Sequence, residues 1–171
     1  MKKIRTTLFA TSLAFALTSV NANAQDAYTL TPLTQEAVEN IIKLSKNDDL
    51  AGQNEFFSFL EDKKYRKELK KTKALIAAGQ QFLKAGLYQQ AAELGRLAYE
   101  QDGSNFDAVM LYGDATYEMK HYGEASAKYE EAINLKPESK EAYLKSANVY
   151  KYINPEYALE ILDKFKNKFP N

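Results

Sequence analysis

The sequence predicts an all-α protein in which helical hairpins stack one upon another. Landmark residues recur every 34 positions through the second half of the chain. Within each copy, apolar residues recur at the three- and four-residue spacing of a helix face. The 171 residues are 45% apolar and 27% charged, with seven glycines and four prolines, which is typical of a globular chain. This length suits one ordinary domain or a short repeat array.

Charge and composition exclude several classes of function. Lys and Arg together number 23, as do Asp and Glu, so no bulk charge indicates a nucleic-acid partner. The absence of cysteine removes disulfides, thiolate metal sites, a nucleophilic thiol and a lipid-modified cysteine. The single histidine, His121, argues against a histidine-based metal site and falls in a predicted turn. No cofactor is therefore expected.

Residues 1–24 have the pattern of an export signal. A basic head over residues 2–5 precedes an apolar stretch over residues 8–20, and Ala22-Asn23-Ala24 has the small residues of a signal-peptidase site. The apolar stretch is shorter than the about 20 residues that cross a bilayer. We therefore expect cleavage after Ala24, no membrane anchor, and a mature chain that is periplasmic or secreted.

Residues 25–71 do not follow the 34-residue pattern and are predicted to form an N-terminal helical cap. One helix is expected to open at Thr34-Gln35-Glu36 and to break at Asn47-Asp48-Asp49. A second is expected to pack on the first hairpin, because it carries four large apolar residues that need cover: Phe56, Phe57, Phe59 and Leu60. We expect one of these phenylalanines to fill the space left by Gly95, where the later units have Tyr129 and Leu162.

Seven basic residues are concentrated in residues 62–73: Lys63, Lys64, Arg66, Lys67, Lys70, Lys71 and Lys73. Such a run either contacts phosphate, in nucleic acid or lipid headgroups, or is a solvated helix face. We favour the solvated face, partly neutralised by Glu61, Asp62 and Glu68, because export separates the protein from nucleic acid.

Three hairpins are predicted, over residues 72–105, 106–139 and 140–171. The 34-residue shift places Gly79 over Gly113, Ala91 over Ala125 and Ala98 over Ala132, and the third copy has Ala147 and, one residue early, Ala158 and Pro170. The early landmarks indicate one deletion in the turn at Ile153-Asn154-Pro155. Asn105 is expected to cap the first helix of the middle unit, and Asn154-Pro155 to start the last helix.

These landmarks resemble the tetratricopeptide repeat family, which has small residues at positions 8, 20 and 27 of a 34-residue unit. The likeness covers residues 72–171, and Phe165 at position 27 of the third unit departs from it. It implies a right-handed superhelical solenoid whose first helices line a concave groove. The groove positions carry Lys73, Ile76, Gln80, Leu83 and Lys84; then Asp107, Met110, Asp114, Tyr117 and Glu118; then Glu141, Leu144, Asn148, Lys151 and Tyr152.

The resemblance implies a non-enzymatic module that binds a protein or peptide. An apolar row of Ile76, Met110 and Leu144 would hold apolar side chains of the partner, and an acidic centre of Asp107, Asp114 and Glu118 would attract basic ones. The groove of a chaperone carboxylate clamp is not supported, because Ile76 and Gln80 replace its lysine and asparagine. The alternative for the groove is generic polar surface.

Other functions stay open at the level of sequence. No P-loop, nucleophile elbow or histidine pair indicates an enzyme. Ten of the twelve tyrosines lie between Tyr88 and Tyr157, and we expect most of them to pack, although exposed ones would suit a binder of cell-wall glycan. No capping helix follows the third hairpin, so we expect either self-association through that end or an N-terminal fragment of a longer repeat protein, whose function lies downstream.

Overall fold

A computed structural model describes residues 28–170 of the chain. The predicted export signal and its cleavage site after Ala24 lie outside the described residues. The described part is a succession of α-helices, which are in chain order α1 Pro32–Asn47, α2 Asp49–Glu61, α3 Lys63–Leu69, α4 Thr72–Lys84, α5 Tyr88–Gln101, α6 Phe106–Glu118, α7 Tyr122–Leu135, α8 Lys140–Ile153 and α9 Pro155–Lys168.

The helices pack as antiparallel pairs that follow one another along the chain. The pairs α4–α5, α6–α7 and α8–α9 correspond to the three predicted hairpins, and each second helix also packs on the first helix of the next pair where one follows. The first helices α4 and α6 contact each other directly. This is the all-α solenoid of stacked hairpins that the sequence predicts.

The N-terminal segment packs on the first hairpin, as expected of a cap. Phe56 of α2 meets Phe82 of α4 edge to face, with ring centroids 5.5 Å apart. The side chains of Gln35 on α1 and Gln81 on α4 exchange two hydrogen bonds, at 3.0 and 2.9 Å. One hydrophobic core therefore joins α1–α3 to α4 and α5.

Two details of the cap differ from the prediction. Helix α1 begins at Pro32 with Thr31 as its N-cap, two residues before the expected start at Thr34, because proline fits the first turn of a helix. The first four basic residues of the run also lie on a separate short helix, α3, capped by Asp62.

Glu68 does not neutralise the basic run, contrary to the expectation. Its side chain turns inward and is buried, where it accepts hydrogen bonds from the Thr31 amide at 2.8 Å and from the hydroxyls of Thr31, Thr34 and Tyr28. The seven basic side chains are exposed, which agrees with a solvated face.

The turns inside the hairpins differ where the sequence predicts a deletion in the third unit. Gly86 and Lys120 lie 34 positions apart in the turns of the first two hairpins, and both have a left-handed backbone, with φ of 80° and 63°. In the third hairpin Asn154 alone separates α8 from α9, and its side chain caps α9 in front of Pro155. The predicted caps at Asn105 and Asn154 are confirmed.

The prediction that a phenylalanine of the cap fills the space left by Gly95 is wrong. A Cβ built on Gly95 would lie 2.9 Å from both N and Cα of Tyr112, so the backbone of α6 occupies the space. Phe56 and Phe59 are buried elsewhere in the cap core, and Phe57 is 58% exposed. Gly95 is therefore needed for close approach between two successive hairpins.

Candidate functional site

A pocket of 290 Å³ opens on the face formed by the first helices of the three hairpins. Helices α4, α6 and α8 supply six of its lining residues, and α5 and α7 supply one tyrosine each. We call it the inner pocket, and its lining consists of Leu83, Tyr88, Asp114, Tyr117, Glu118, Tyr129, Lys145 and Asn148. It spans all three hairpins, so its shape depends on their stacking.

An ion-pair network holds Asp114 in the pocket. The Lys145 ammonium of α8 lies 2.8 and 2.7 Å from the two carboxylate oxygens of Asp114 on α6, and it also pairs with Glu141 at 2.8 Å. The Tyr129 hydroxyl of α7 donates to Asp114 at 2.9 Å. Three helices from two hairpins are therefore tied at one carboxylate.

The ionisation of this network is shifted by burial and charge. Burial lowers the pKa of Lys145, but Asp114 and Glu141 outweigh it and hold that pKa above its ordinary value. Burial and the negative charge of Asp114 both raise the pKa of Tyr129 above its usual range. Lys145 is consequently charged and Tyr129 neutral under ordinary conditions, so the hydrogen-bond pattern is fixed.

Tyrosines form one wall of the pocket and continue beyond it. Asn148 donates its side-chain N–H to the Tyr117 hydroxyl at 2.8 Å, which fixes both groups. Tyr117 lies between Tyr122 and Tyr152, with centroid distances of 5.7 and 6.4 Å. Burial raises the pKa of Tyr117, so its hydroxyl stays protonated.

The structure gathers five of the predicted groove residues in one pocket. Leu83, Asp114, Tyr117, Glu118 and Asn148 all line it. The exposed predicted residues outside its lining are Lys73, Gln80, Lys84, Asp107, Glu141, Leu144, Lys151 and Tyr152.

The predicted apolar row needs correction. Ile76 and Met110 are only 8% and 6% exposed, whereas Leu144 is 47% exposed. Ile76 belongs to the core shared with α6, and Met110 to the core shared with α8. Both side chains are buried in hydrophobic cores, so of the three only Leu144 can contact a partner.

The predicted acidic centre also needs correction, because Asp114 is not a free carboxylate. Its carboxylate is half-buried, forms an ion pair with Lys145 and accepts a hydrogen bond from Tyr129, so it holds the helices together and is not free to bind a partner. Glu118 is exposed and makes no ion pair with any residue between 28 and 170. The available negative charge in the pocket is therefore Glu118.

Three lining residues were missed by sequence reasoning: Tyr88, Tyr129 and Lys145. The tyrosines start or lie within second helices, where the pattern predicts packing, and their polar ends reach the inner face. Lys145 follows the groove position of Leu144, so the repeat pattern does not assign it to the groove. Lys145 lies 31 positions after Asp114, which is about one helical turn less than the 34-residue repeat. This spacing is the signal that could have revealed the ion pair.

Most tyrosines pack, as predicted. Of the ten between Tyr88 and Tyr157, eight are half-buried, Tyr129 is buried and Tyr152 is exposed. Tyr122 and Tyr152 stack on each other with centroids 4.6 Å apart and an interplanar angle of 6°. Because each ring covers one face of the other, the pair differs from the open row of coplanar rings that a glycan platform requires.

The other sequence features are placed as follows. His121 is exposed in the turn before α7, as expected. None of the helices between residues 28 and 170 has both the length and the apolar character that crossing a bilayer requires. Over the same described residues, no three His, Asp or Glu side chains are arranged to hold a metal ion.

Comparisons with known proteins agree with this architecture. No protein-family model matches the chain. A probable UDP-N-acetylglucosamine–peptide N-acetylglucosaminyltransferase, SEC of Arabidopsis thaliana, is 31% identical over 78 residues, which is 46% of this chain and 8% of that relative's length. The similarity to the transferase thus concerns a small part of it.

Solved structures of MamA share the fold. A MamA mutant has 20% identity and a TM-score of 0.56, with 85% of this chain and 80% of that one covered. The crystal structure of MamA itself has 21% identity and a TM-score of 0.56, with 77% of each chain covered. These likenesses show the fold, a helical-repeat solenoid of the tetratricopeptide type.

Proposed function

We propose that the protein is a non-enzymatic interaction scaffold that binds a protein or peptide partner on its inner face. The supporting observation is the inner pocket, which three hairpins build together and whose polar groups are held in place by hydrogen bonds. Its 290 Å³ lies at the lower limit of the about 300–1,000 Å³ of small-molecule sites. That volume suits a side chain of a larger partner.

The ion pair between Asp114 and Lys145 supports this proposal, because it fixes the pocket before a partner binds. A preformed surface loses little side-chain entropy when a partner binds, which favours affinity. Leu144 and Tyr152, 47% and 51% exposed, extend the same face beyond the pocket. A partner would therefore place one side chain in the pocket and lay its neighbours along α8.

The proposal includes export. The basic head, short apolar stretch and Ala22-Asn23-Ala24 site support a periplasmic or secreted protein whose mature chain starts at Gln25. The test is fractionation of cells followed by N-terminal sequencing of the protein. Recovery of only the uncleaved chain in the cytoplasm would contradict export.

Self-association through the third hairpin is a second part of the proposal. Leu159 on α9 is 64% exposed and Ile153 at the end of α8 is 46% exposed, and such apolar groups favour a protein contact. We expect the protein to sediment as an oligomer at high concentration and Leu159→Glu to shift it to a monomer. Identical sedimentation of the two proteins would contradict this part.

Selection from a random peptide-display library tests the inner-face proposal. The purified protein is expected to enrich peptides that bind it, and Asn148→Trp is expected to abolish their binding by filling the mouth of the pocket. Asn167→Trp is the matched control, because Asn167 is equally an exposed helical asparagine but lies on α9, outside the pocket lining. Enriched peptides that bind Asn148→Trp as tightly as the control would overturn the proposal.

A further inference from the structure

We infer that the inner pocket receives an arginine side chain of the partner. This inference rests on the proposed function and specifies the chemistry of the partner at that site. It combines three features of the pocket: the hydrogen-bonding capacity left unused, the charge of the lining, and the nature of its apolar walls.

The unused hydrogen-bonding groups of the pocket are mainly acceptors. Lys145 directs its ammonium protons to Asp114 and Glu141, so it has little capacity left for a ligand. Asn148 uses its N–H on Tyr117, and its amide oxygen accepts no hydrogen bond within the described chain. The Glu118 carboxylate is exposed. A ligand group rich in N–H donors would satisfy these oxygens.

The charge of the lining favours a cation. Asp114 and Glu118 carry two negative charges, and Lys145 carries one positive charge, which leaves the lining with an excess of one negative charge. Glu141 adds a further carboxylate beside Lys145. Since Asp114 is already neutralised by Lys145, the cation would pair with Glu118 at the rim.

The apolar walls favour a planar guanidinium on a hydrocarbon stem. Leu83 offers an aliphatic contact for the methylenes, and Tyr88 and Tyr117 offer aromatic surface against which a guanidinium stacks. The neighbouring Lys151 ammonium lies over the Tyr152 ring at 4.7 Å, which shows that this tyrosine cluster already accommodates one cation at its outer ring. An ammonium would match fewer of the spread acceptors than the five N–H donors of arginine.

Binding of capped amino acids to the purified protein tests the inference directly. N-acetyl-arginine amide is expected to bind, and N-acetyl-citrulline amide, which has nearly the same shape but no charge, is expected to bind at least about tenfold more weakly. N-acetyl-lysine amide is expected to fall between them. Glu118→Gln should weaken arginine binding by about three- to tenfold and leave citrulline binding unchanged.

Glu138→Gln is the matched control, because Glu138 is an exposed glutamate in the turn before α8 and does not line the pocket. Equal affinity for the arginine and citrulline probes, or equal loss in the two glutamate variants, would overturn the inference. The peptide selection separates this failure from failure of the proposed function. Selected peptides that need Asn148 but contain no arginine would keep the inner-face function and refute the arginine pocket, whereas an absence of inner-face binders would refute both.

Discussion

Lys145 of α8 and Asp114 of α6 form an ion pair that joins the second and third hairpins on the inner face, with the ammonium 2.7 Å from Asp114 Oδ2. The two side chains are 32% and 23% exposed, so solvent screens them less than it screens a surface pair. Lys145 also belongs to the third hairpin, which no later hairpin covers in the described chain. The same contact therefore stabilises the stack and shapes the pocket.

Removal of this pair should destabilise the protein measurably. Lys145→Met leaves Asp114 half-buried without its cation, and we expect a loss of about 1–2 kcal/mol in the free energy of unfolding, between the effects typical of exposed and buried pairs. Lys166→Met is the matched control, because its pair with Asp163 spans 3.9 Å at 76% and 75% exposure. Urea unfolding measures both, and equal midpoints for the two variants would refute a structural role for Lys145.

Gly95 should tolerate no side chain. In Gly95→Ala the added Cβ would meet the Tyr112 backbone at 2.9 Å, so the two hairpins must separate. Overpacking costs about 1–3 kcal/mol, and the gain of up to about 1 kcal/mol in helix propensity does not offset it. Gly123→Ala has no atom within 4 Å of the new Cβ and should be neutral or stabilising. Thermal unfolding of the two variants measures this, and a Gly95→Ala protein as stable as the Gly123→Ala protein would show that α6 is not in close contact.

Replacement of Lys120 by glycine should stabilise the protein. Its φ of 63° is left-handed, a conformation that costs a side chain about 1–2 kcal/mol and that Gly86 adopts without strain in the first hairpin. Because glycine also adds freedom to the unfolded chain, we expect Lys120→Gly to gain about 0.5–1 kcal/mol. Gly86→Ala should lose a similar amount. Denaturant unfolding compares them, and destabilisation by Lys120→Gly would mean that its side chain contributes more than its backbone strain costs.

Glu68 should make the stability of the N-terminal cap depend on pH. Burial alone would raise its pKa, but hydrogen bonds from Thr31, Thr34 and Tyr28 outweigh burial and hold the pKa below the ordinary value of 4.5. A carboxyl with a lowered pKa in the folded state stabilises the fold above its unfolded pKa, and this contribution is lost as the pH falls through the folded pKa.

The test compares Glu68→Gln with Glu61→Gln, an exposed glutamate at the end of α2. Glu68→Gln should lower the free energy of unfolding by about 1–3 kcal/mol at about pH 6, and the difference from the parent should shrink at about pH 3. Glu61→Gln should follow the parent at both values. A constant difference between Glu68→Gln and the parent across this range would show that Glu68 does not titrate with folding.

The repeat architecture could be predicted because it depends on local, periodic signals. The 34-residue register places small residues such as Gly79 and Gly113 where helices cross, and Asn105 and Asn154 act as caps through their own side chains. Such signals need only neighbouring residues to be interpreted. The all-α class, the packing of the cap and the exposed turn at His121 follow from them.

The contacts between hairpins could not be predicted, because the residue pattern within one hairpin does not specify how that hairpin packs against the next. The burial of Ile76 and Met110 depends on packing between elements that are distant in sequence, and the close approach at Gly95 follows from the path of the α6 backbone. The sequence pattern predicts that Glu68 is a surface charge, because the residues that hydrogen-bond to it, Thr31 and Thr34, lie 34 or more positions away. For the same reason only five of the fifteen predicted groove residues line the pocket, and the role of Asp114 could not be predicted.

Nuclear magnetic resonance titration with a library-selected peptide shows whether the inner pocket is the binding surface. Binding in the pocket should place the largest amide shift changes on the lining residues of α6 and α8, above all Tyr117, Glu118 and Asn148. Shift changes confined to the outer face of α9 around Leu159, or to the exposed Phe57 of α2, would contradict it.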